Sequence, residues 1–261
     1  MINPVTLFDI SGKSAMITGA TSGIGRMIAE GLSAAGARIW VVARTDDDVA
    51  AMTESLSQQG GAQGIVADIA TAEGIAAVRE ALGDAALNIL VNNAGTNRDT
   101  PLAESRREDF DAVLGLNLST PFHLVQAVLP NLRTAAQKDD PARVINISSV
   151  ASIHPGGYEN YAYSASKTGL LMLTRHLGRK LASDDITVNA IAPGLFPSRL
   201  TETFMGVGAG DDAPKGFQSP IAQRMGTPED IAGAIIYLSS RAGAWVSGIT
   251  IPVAGGVFTV S

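Results

Sequence analysis

The 261-residue chain contains no cysteine, which excludes disulfide scaffolds, thiolate metal sites, iron–sulfur clusters and cysteine nucleophiles. The same absence fits a reducing compartment. Aromatic residues make up only 5% and charged residues 17%, yet apolar residues reach 46%, so the composition is that of a folded domain rather than a disordered chain. Positive charge is scarce as well: 19 Lys and Arg face 25 Asp and Glu, a net charge of −6. Phosphate backbones need clustered cations, so nucleic acid is not an expected partner. No apolar run approaches the roughly 20 residues that span a bilayer. Residues 1–13 lack the basic and apolar regions of a secretory signal, and the expectation is a cytoplasmic protein with no membrane partner. The three histidines, His123, His154 and His176, share no metal-ligand spacing, so no metal is expected.

What the chain does have is glycine, 28 residues of it, and a regular alternation of apolar strand-like runs with helical stretches. Strands are expected at 14–18, 38–43, 63–67, 89–92, 143–147, 187–192 and 250–253. Helical spacing occupies 25–35, 46–59, 72–82, 107–133 (interrupted by Pro121), 161–182 and 227–239. Several strands are apolar nearly throughout, as strands are when both sheet faces are covered. The pattern predicts an α/β protein, one doubly wound, seven-stranded parallel sheet with helices on both faces. No linker divides the chain, so 1–261 reads as a single domain. One long irregular stretch, 193–220, holds five Gly and four Pro. A loop of that length in a compact domain is usually functional, and it is read as a substrate flap with a short helix at 199–205.

The first strand runs directly into Thr18-Gly19-Ala20-Thr21-Ser22-Gly23-Ile24-Gly25. Glycines there allow a tight turn and close approach of the backbone to a pyrophosphate, whose charge is stabilised by the free N–H groups of the following helix. Thr18, Gly19, Thr21, Ser22, Gly23, Ile24 and Gly25 are therefore candidate cofactor ligands. The second strand ends in Val41-Val42-Ala43-Arg44. An NAD site normally has an acid at this strand end for the ribose 2′-hydroxyl, whereas Arg44 suits a 2′-phosphate, so NADP(H) is favoured and NAD is the alternative. Asp68, with Ile69 beside it, ends the third strand and is placed to accept from the adenine amino group. Asn93, Ala94 and Gly95 follow the fourth, where small side chains let the backbone approach the adenosine ribose.

Tyr163 and Lys167 are four residues apart, on one face of a helix, and Ser149 ends the strand 143–147 region at the carboxyl edge of the sheet, where open α/β folds bind ligands. Reducing a carbonyl requires a hydride and a proton at the same group. A free phenol has a pKa near 10, so ionising it near neutrality needs a shift of about 3 units, or roughly 4 kcal/mol. An ammonium about 5 Å away at an effective dielectric of about 20 supplies roughly 3 kcal/mol of that. Tyr163 is thus read as general acid in reduction and base in oxidation, Lys167 as its electrostatic partner and a ribose ligand, and Ser149 as donor to the substrate oxygen.

Thr18 to Gly25, Asn92-Asn93-Ala94-Gly95, Asn117, Ser149, Tyr163 with Lys167, and Pro193-Gly194 stand in the order and approximate spacing of the short-chain dehydrogenase/reductase family, which the chain resembles over its whole length. The resemblance implies a Rossmann fold, a homotetramer or homodimer, and Asn117 holding a water in a proton relay to Lys167. It also implies cofactor contacts at Pro193, Gly194 and Ser198, the last where Thr is more usual. Segments 143–153, 161–167 and 192–199 look most like a β-ketoacyl reductase. Three departures stand out. Ser22 occupies a position where NADP-preferring relatives often have Arg, the Ser149-to-Tyr163 interval is one residue longer than usual, and the terminal Val-Asp-Gly-Gly pattern appears as Val253-Ala254-Gly255-Gly256. Relatives that dock acyl carrier protein place basic residues before the fifth and sixth strands. Here Asp139/Asp140 and Asp184/Asp185 stand there, which would repel an acidic carrier and point to a small or CoA-linked ketone. His154, Phe196 and Arg199 are read either as substrate contacts or as ordinary loop residues. The functional expectation is an NADP(H)-dependent reductase acting on a small-molecule carbonyl, a β-keto acyl derivative. The competing readings are an NAD(H)-dependent alcohol, polyol or steroid dehydrogenase, and a non-catalytic binding or regulatory protein.

Overall fold

The computed structural model describes residues 3–58, 60–155, 157–198, 201 and 224–257. Among them lies a seven-stranded, all-parallel sheet in the order β3-β2-β1-β4-β5-β6-β7. Its strands are β1 (Ser14–Thr18), β2 (Arg38–Ala43), β3 (Ala62–Val66), β4 (Ile89–Asn92), β5 (Ala142–Ile147), β6 (Ile186–Pro193) and β7 (Thr250–Val253). The third strand sits one residue earlier than its sequence pattern predicts, and β5 and β6 are slightly longer. The helices are α1 (Pro4–Leu7), α2 (Gly23–Ala34), α3 (Asp46–Ser57), α4 (Ala72–Leu82), α5 (Arg107–Leu114), α6 (Thr120–Ala135), α7 (Tyr161–Lys180) and α8 (Pro228–Ser239).

Because successive strand residues face opposite sides, β1 feeds two cores: Ala15 and Ile17 enter one, and Met16 enters the other. The first core packs against α2, α3 and α8 through Leu32, Leu56 and Ile235; the second packs against α4 and α6 through Val78, Leu124 and Val128. Every residue of β1, β4, β5 and β6 is buried. The strand order reverses between β1 and β4. Loops leaving β1 and β4 therefore diverge and open a crevice at the carboxyl edge of the sheet.

Pro121 does not break the helix that contains it. It occupies the first turn of α6, where a missing N–H costs little, and α5 continues into α6 through a π-helical turn at Gly115–Ser119. The combined run 107–135 has the length and hydropathy of a membrane span, contrary to the expectation that no apolar stretch approaches that size. Its apolar stripe is instead seated in the second core, where Leu124, Val125, Val128 and Leu132 are buried.

At the amino ends of the strands, Arg143 is 1% exposed. Its Nε donates to the Leu238 carbonyl at 3.0 Å, and its Nη2 donates to the Ser240 carbonyl at 2.8 Å and to Asp140 at 3.0 Å. Lys13 joins the same cluster, reaching Asp140 at 2.6 Å and the Ser239 carbonyl at 3.1 Å. One buried and one partly buried cation thus hold consecutive carbonyls at the end of α8, where the helix dipole favours positive charge. Asp140 is consumed by this staple, and Asp184 pairs with Arg133 at 2.9 Å. Both acids lie at the sheet edge opposite the crevice, so within one chain they exert no free repulsion near the site. The proposed flap helix at 199–205 and most of 193–220 lie outside the described residues.

Candidate active site

The β1–α2 turn is shaped by close backbone approach. Gly19 has φ +65° and Gly23 φ +53°, and a Cβ on Gly25 would come within 2.1 Å of the Gly19 carbonyl oxygen. No side chain fits at Gly25, so the first turn of α2 is left open to a ligand. Thr18 braces this turn against the end of β4: its Oγ1 accepts from the Asn93 and Ala94 N–H groups, both at 3.0 Å, and Asn93 Nδ2 donates to the Thr18 carbonyl at 2.9 Å.

The turn forms one wall of a cleft of about 430 Å³. Gly19, Thr21, Ser22, Gly23, Ile24 and Gly25 line it, with Arg44, Asp68, Ile69, Asn93, Ala94, Gly95, Tyr163, Lys167 and Ser198. Three predicted cofactor residues do not reach its surface. Thr18 is spent behind the turn, Pro193 closes β6, and Gly194 donates to the Val253 carbonyl at 3.0 Å and is packed on Ala254. Ser198 reaches the cleft by lying against Gly23. Sequence reasoning missed Thr96 and Leu116, which also line the cleft; Ser148 lines it too, whereas Ser149 does not. Thr96 directly follows the Asn-Asn-Ala-Gly run, which was the available signal.

At the adenosine end, Arg44 is exposed and makes no hydrogen bond or ion pair with another described residue. Asp46, Asp47 and Asp48 occupy the first turn of α3 beside it. Asp68 Oδ1 accepts from the Ala70 N–H at 3.1 Å, an Asx turn that fixes the carboxylate at the cleft rim.

At the other end, α7 carries Tyr163 and Lys167. Lys167 is 4% exposed, and its Nζ donates to the Ile147 carbonyl at 2.8 Å and lies 5.7 Å from the centre of the Tyr163 ring. Burial lowers the Lys167 pKa to about 8. Tyr163 is half-buried and hydrogen-bonded to Ser149. Desolvation raises its pKa, and the Ser149 hydroxyl opposes that shift only in part. In the chain without ligand, burial therefore sets the direction of the phenol's shift, upward from its ordinary value.

The two adjacent serines are distinguished by their bonds. Ser148 Oγ donates to the Lys167 carbonyl at 3.0 Å, whereas Ser149 Oγ accepts from the Ala151 N–H at 3.1 Å and faces Tyr163. Ser149 is the one bonded to Tyr163, and Ser148 is the one spent on the helix backbone. Asn117 sits in the π turn and is buried. Its Oδ1 accepts from the Thr96 N–H and its Nδ2 donates to the Thr96 carbonyl, both at 2.9 Å, and Nδ2 also reaches Ser166 Oγ at 3.1 Å. The carboxamide is thus a strut between the β4 loop and α7. A Cβ on Gly95 would stand 3.2 Å from Asn117 Oδ1 and 3.4 Å from Lys167 Nζ, so these three groups converge.

Phe196 is 2% exposed and stacked against Gly226 in the first core, which removes it from the substrate contacts. Arg199 lies outside the described residues. His154 and His176 are exposed, and His123 packs edge-on against Phe122. Among the described residues no group of acids and histidines has the form of a metal site.

A Rossmann crevice with a glycine-shaped turn at one end and a Ser, Tyr and Lys cluster at the other is the architecture of a nicotinamide-dependent oxidoreductase. Residues 19–258 match the family model described as Enoyl-(Acyl carrier protein) reductase, and the chain belongs to the short-chain dehydrogenase/reductase family. The rhamnolipids biosynthesis 3-oxoacyl-(acyl-carrier-protein) reductase of Pseudomonas aeruginosa is 41% identical over 255 residues, 95% of this chain and 97% of that protein. The 3-oxoacyl-(acyl-carrier-protein) reductase FabG of Escherichia coli K12 is 37% identical over 256 residues, 97% of this chain and all of that protein. Among solved structures, the Pseudomonas aeruginosa RhlG/NADP active-site complex superposes with a TM-score of 0.89 at 40% identity, covering 97% of this chain and 99% of that one.

Proposed function

We propose that this chain is an NADP(H)-dependent reductase that converts the ketone of a β-keto acyl derivative to a secondary alcohol. The observation that carries the reading is the joining, in one cleft, of Arg44, which has no side-chain partner among the described residues, at the adenosine end and of Tyr163 and Lys167 at the other, with Ser149 bonded to Tyr163 behind them. The likeness to 3-oxoacyl reductases and to an NADP complex supports the substrate class and the cofactor. The Gly19–Gly25 turn would hold the pyrophosphate, Arg44 the 2′-phosphate, Asp68 the adenine, Asn93 to Gly95 the adenosine ribose, and Lys167 and Ser198 the nicotinamide half. The bound nucleotide supplies the hydride.

The chain's own residues supply the proton. Ser149 donates to the ketone oxygen, polarising the carbonyl and fixing its orientation, and Tyr163 transfers its phenolic proton to that oxygen as the alcohol forms. Burial keeps the phenol protonated beforehand, as an acid must be. Lys167, charged at neutral pH with a pKa of about 8, stabilises the phenolate that remains. Asn117 is proposed to hold the water that returns a proton toward Lys167. Its carboxamide is already engaged with Thr96 and Ser166, which leaves its main-chain carbonyl as the group proposed for that water.

The chain is further proposed to act in the cytoplasm as a homotetramer or homodimer. Support comes from apolar side chains left outside: Phe122 on α6, Met172 on α7, and Trp245, fully exposed just before the edge strand β7. Cofactor titration tests the central reading. NADPH should give the higher kcat/KM with a β-ketoacyl thioester, and Arg44→Ala should lower it for NADPH while sparing NADH. Preference for NADH, or activity confined to polyols or steroids, would refute it.

A further inference from the structure

Arg44 follows β2, Asp48 lies in the first turn of α3, and both line the cleft. Neither side chain makes a hydrogen bond or ion pair with another described residue, so the cation and the acid share one cleft without neutralising each other by contact. Thr45 is the N-cap of α3, which makes Asp48 the third residue of the helix. A helical side chain leans toward the amino end, and an acid at this position commonly reaches back to the N–H of the N-cap. Among the described residues that bond is not made, and the Thr45 side chain caps nothing either. The Asp48 carboxylate is thus free of the helix end and leans toward the turn that carries Arg44. Asp46 and Asp47, in the same turn, are exposed and do not line the cleft.

A phosphate monoester such as the 2′-phosphate of NADPH carries about 1.5 to 2 negative charges at neutral pH, whereas NADH has an uncharged hydroxyl at the same place. The amino end of α3 would ordinarily favour an anion, but three carboxylates in its first turn offset that field. Ser22, which also lines the cleft, adds no charge. Arg44 is therefore opposed by its neighbours. We propose that Asp48 is a specificity-determining residue: its carboxylate repels the 2′-phosphate that Arg44 attracts, and so holds the preference for NADPH over NADH below what Arg44 alone would give. This rests on the reading of the cleft as an NADP(H) site. Specific sites combine attractive and repulsive groups, and here the two stand four residues apart. An acid serving only the helix dipole would do as well outside the cleft, where Asp46 and Asp47 already stand.

The test is fluorescence titration of the full chain with NADPH and with NADH at low salt, for the wild-type enzyme and for Asp48→Asn, Asp48→Ser, Asp48→Glu and Asp47→Asn. The wild-type enzyme should bind NADPH more tightly than NADH. Asp48→Asn should tighten NADPH about 5- to 20-fold and leave NADH within about 2-fold. The gain should shrink at high salt, where charges in an open cleft are screened. Asp48→Glu keeps the charge and should match the wild type, and Asp47→Asn, which removes the same charge from the same turn but outside the cleft, should act far more weakly. Unchanged or weaker NADPH binding by Asp48→Asn, equal tightening of both nucleotides, or an equal gain from Asp47→Asn would overturn the role of Asp48. If melting curves show that Asp48→Asn is unfolded, Asp48→Ser decides by the same ratio. A wild-type enzyme that binds NADH more tightly overturns the cofactor reading itself, and with it the inference, before any variant is made.

Discussion

Burial acts on Tyr163 and Lys167 in opposite chemical senses, keeping the phenol protonated and making the ammonium easier to discharge. For reduction these two effects cooperate only below the lysine's pKa. With that value at about 8, Lys167 is roughly nine-tenths charged at pH 7, and the charge is lost as pH rises further. The rate of carbonyl reduction at saturating NADPH should therefore be flat near neutrality and decline through pH 8, and a rate still rising beyond pH 9 would contradict this assignment. The same scale explains a limit of sequence reasoning. The i,i+4 spacing of Tyr163 and Lys167 was legible, and so was Ser149, but the balance between desolvation and charge depends on how deeply α7 is seated. Nothing in the motif encodes that depth.

Elements set the geometry in which those residues work, and here glycine and the π turn matter most. The Gly25 contact of 2.1 Å with the Gly19 carbonyl means that Gly25→Ala must push α2 away from the turn. NADPH affinity should drop by more than about 100-fold, equivalent to some 3 kcal/mol, in a fluorescence titration; near wild-type affinity would show that the turn does not carry the pyrophosphate. The glycine run and its place after β1 were readable from sequence. The π turn was not, because the apolar spacing of 107–133 suits a continuous helix in which Pro121 and Pro130 are the sequence irregularities, and neither marks the turn. The extra residue of the turn is visible only when Asn117 is seen bonded to Thr96 and Ser166. Phe196, which the sequence leaves open between a substrate contact and a structural residue, is settled as structural by its burial and by Gly226, which leaves room for its ring.

Across the whole molecule, alternation of strands and helices gave the parallel sheet, and the two faces of β1 gave its two cores. Long-range pairings that tie the ends together left no local trace. Arg143 reads as one more strand residue, yet it joins β5 to the carbonyls that end α8. Arg143→Met should lower unfolding free energy by about 2–3 kcal/mol in urea titration, since it leaves the buried Leu238 and Ser240 carbonyls without their donor while Asp140 keeps Lys13, and KM for NADPH should hold because the cluster lies at the opposite edge of the sheet. A neutral effect on stability would show that the staple is dispensable. Of the four acids before the fifth and sixth strands, Asp140 pairs with Lys13 and Arg143 and Asp184 with Arg133, whereas Asp139 and Asp185 are exposed and form no ion pair among the described residues, so half of the expected acidic field is neutralised within the chain.

The central claim is that this cleft couples NADPH to carbonyl reduction through the Tyr163 proton. NADPH oxidation driven by a β-ketoacyl thioester, followed at 340 nm for wild type and Tyr163→Phe, tests it most directly. The account predicts turnover by the wild-type enzyme and a fall in kcat of about 10²- to 10⁴-fold in the variant, with NADPH still bound. Undiminished turnover by Tyr163→Phe would contradict it.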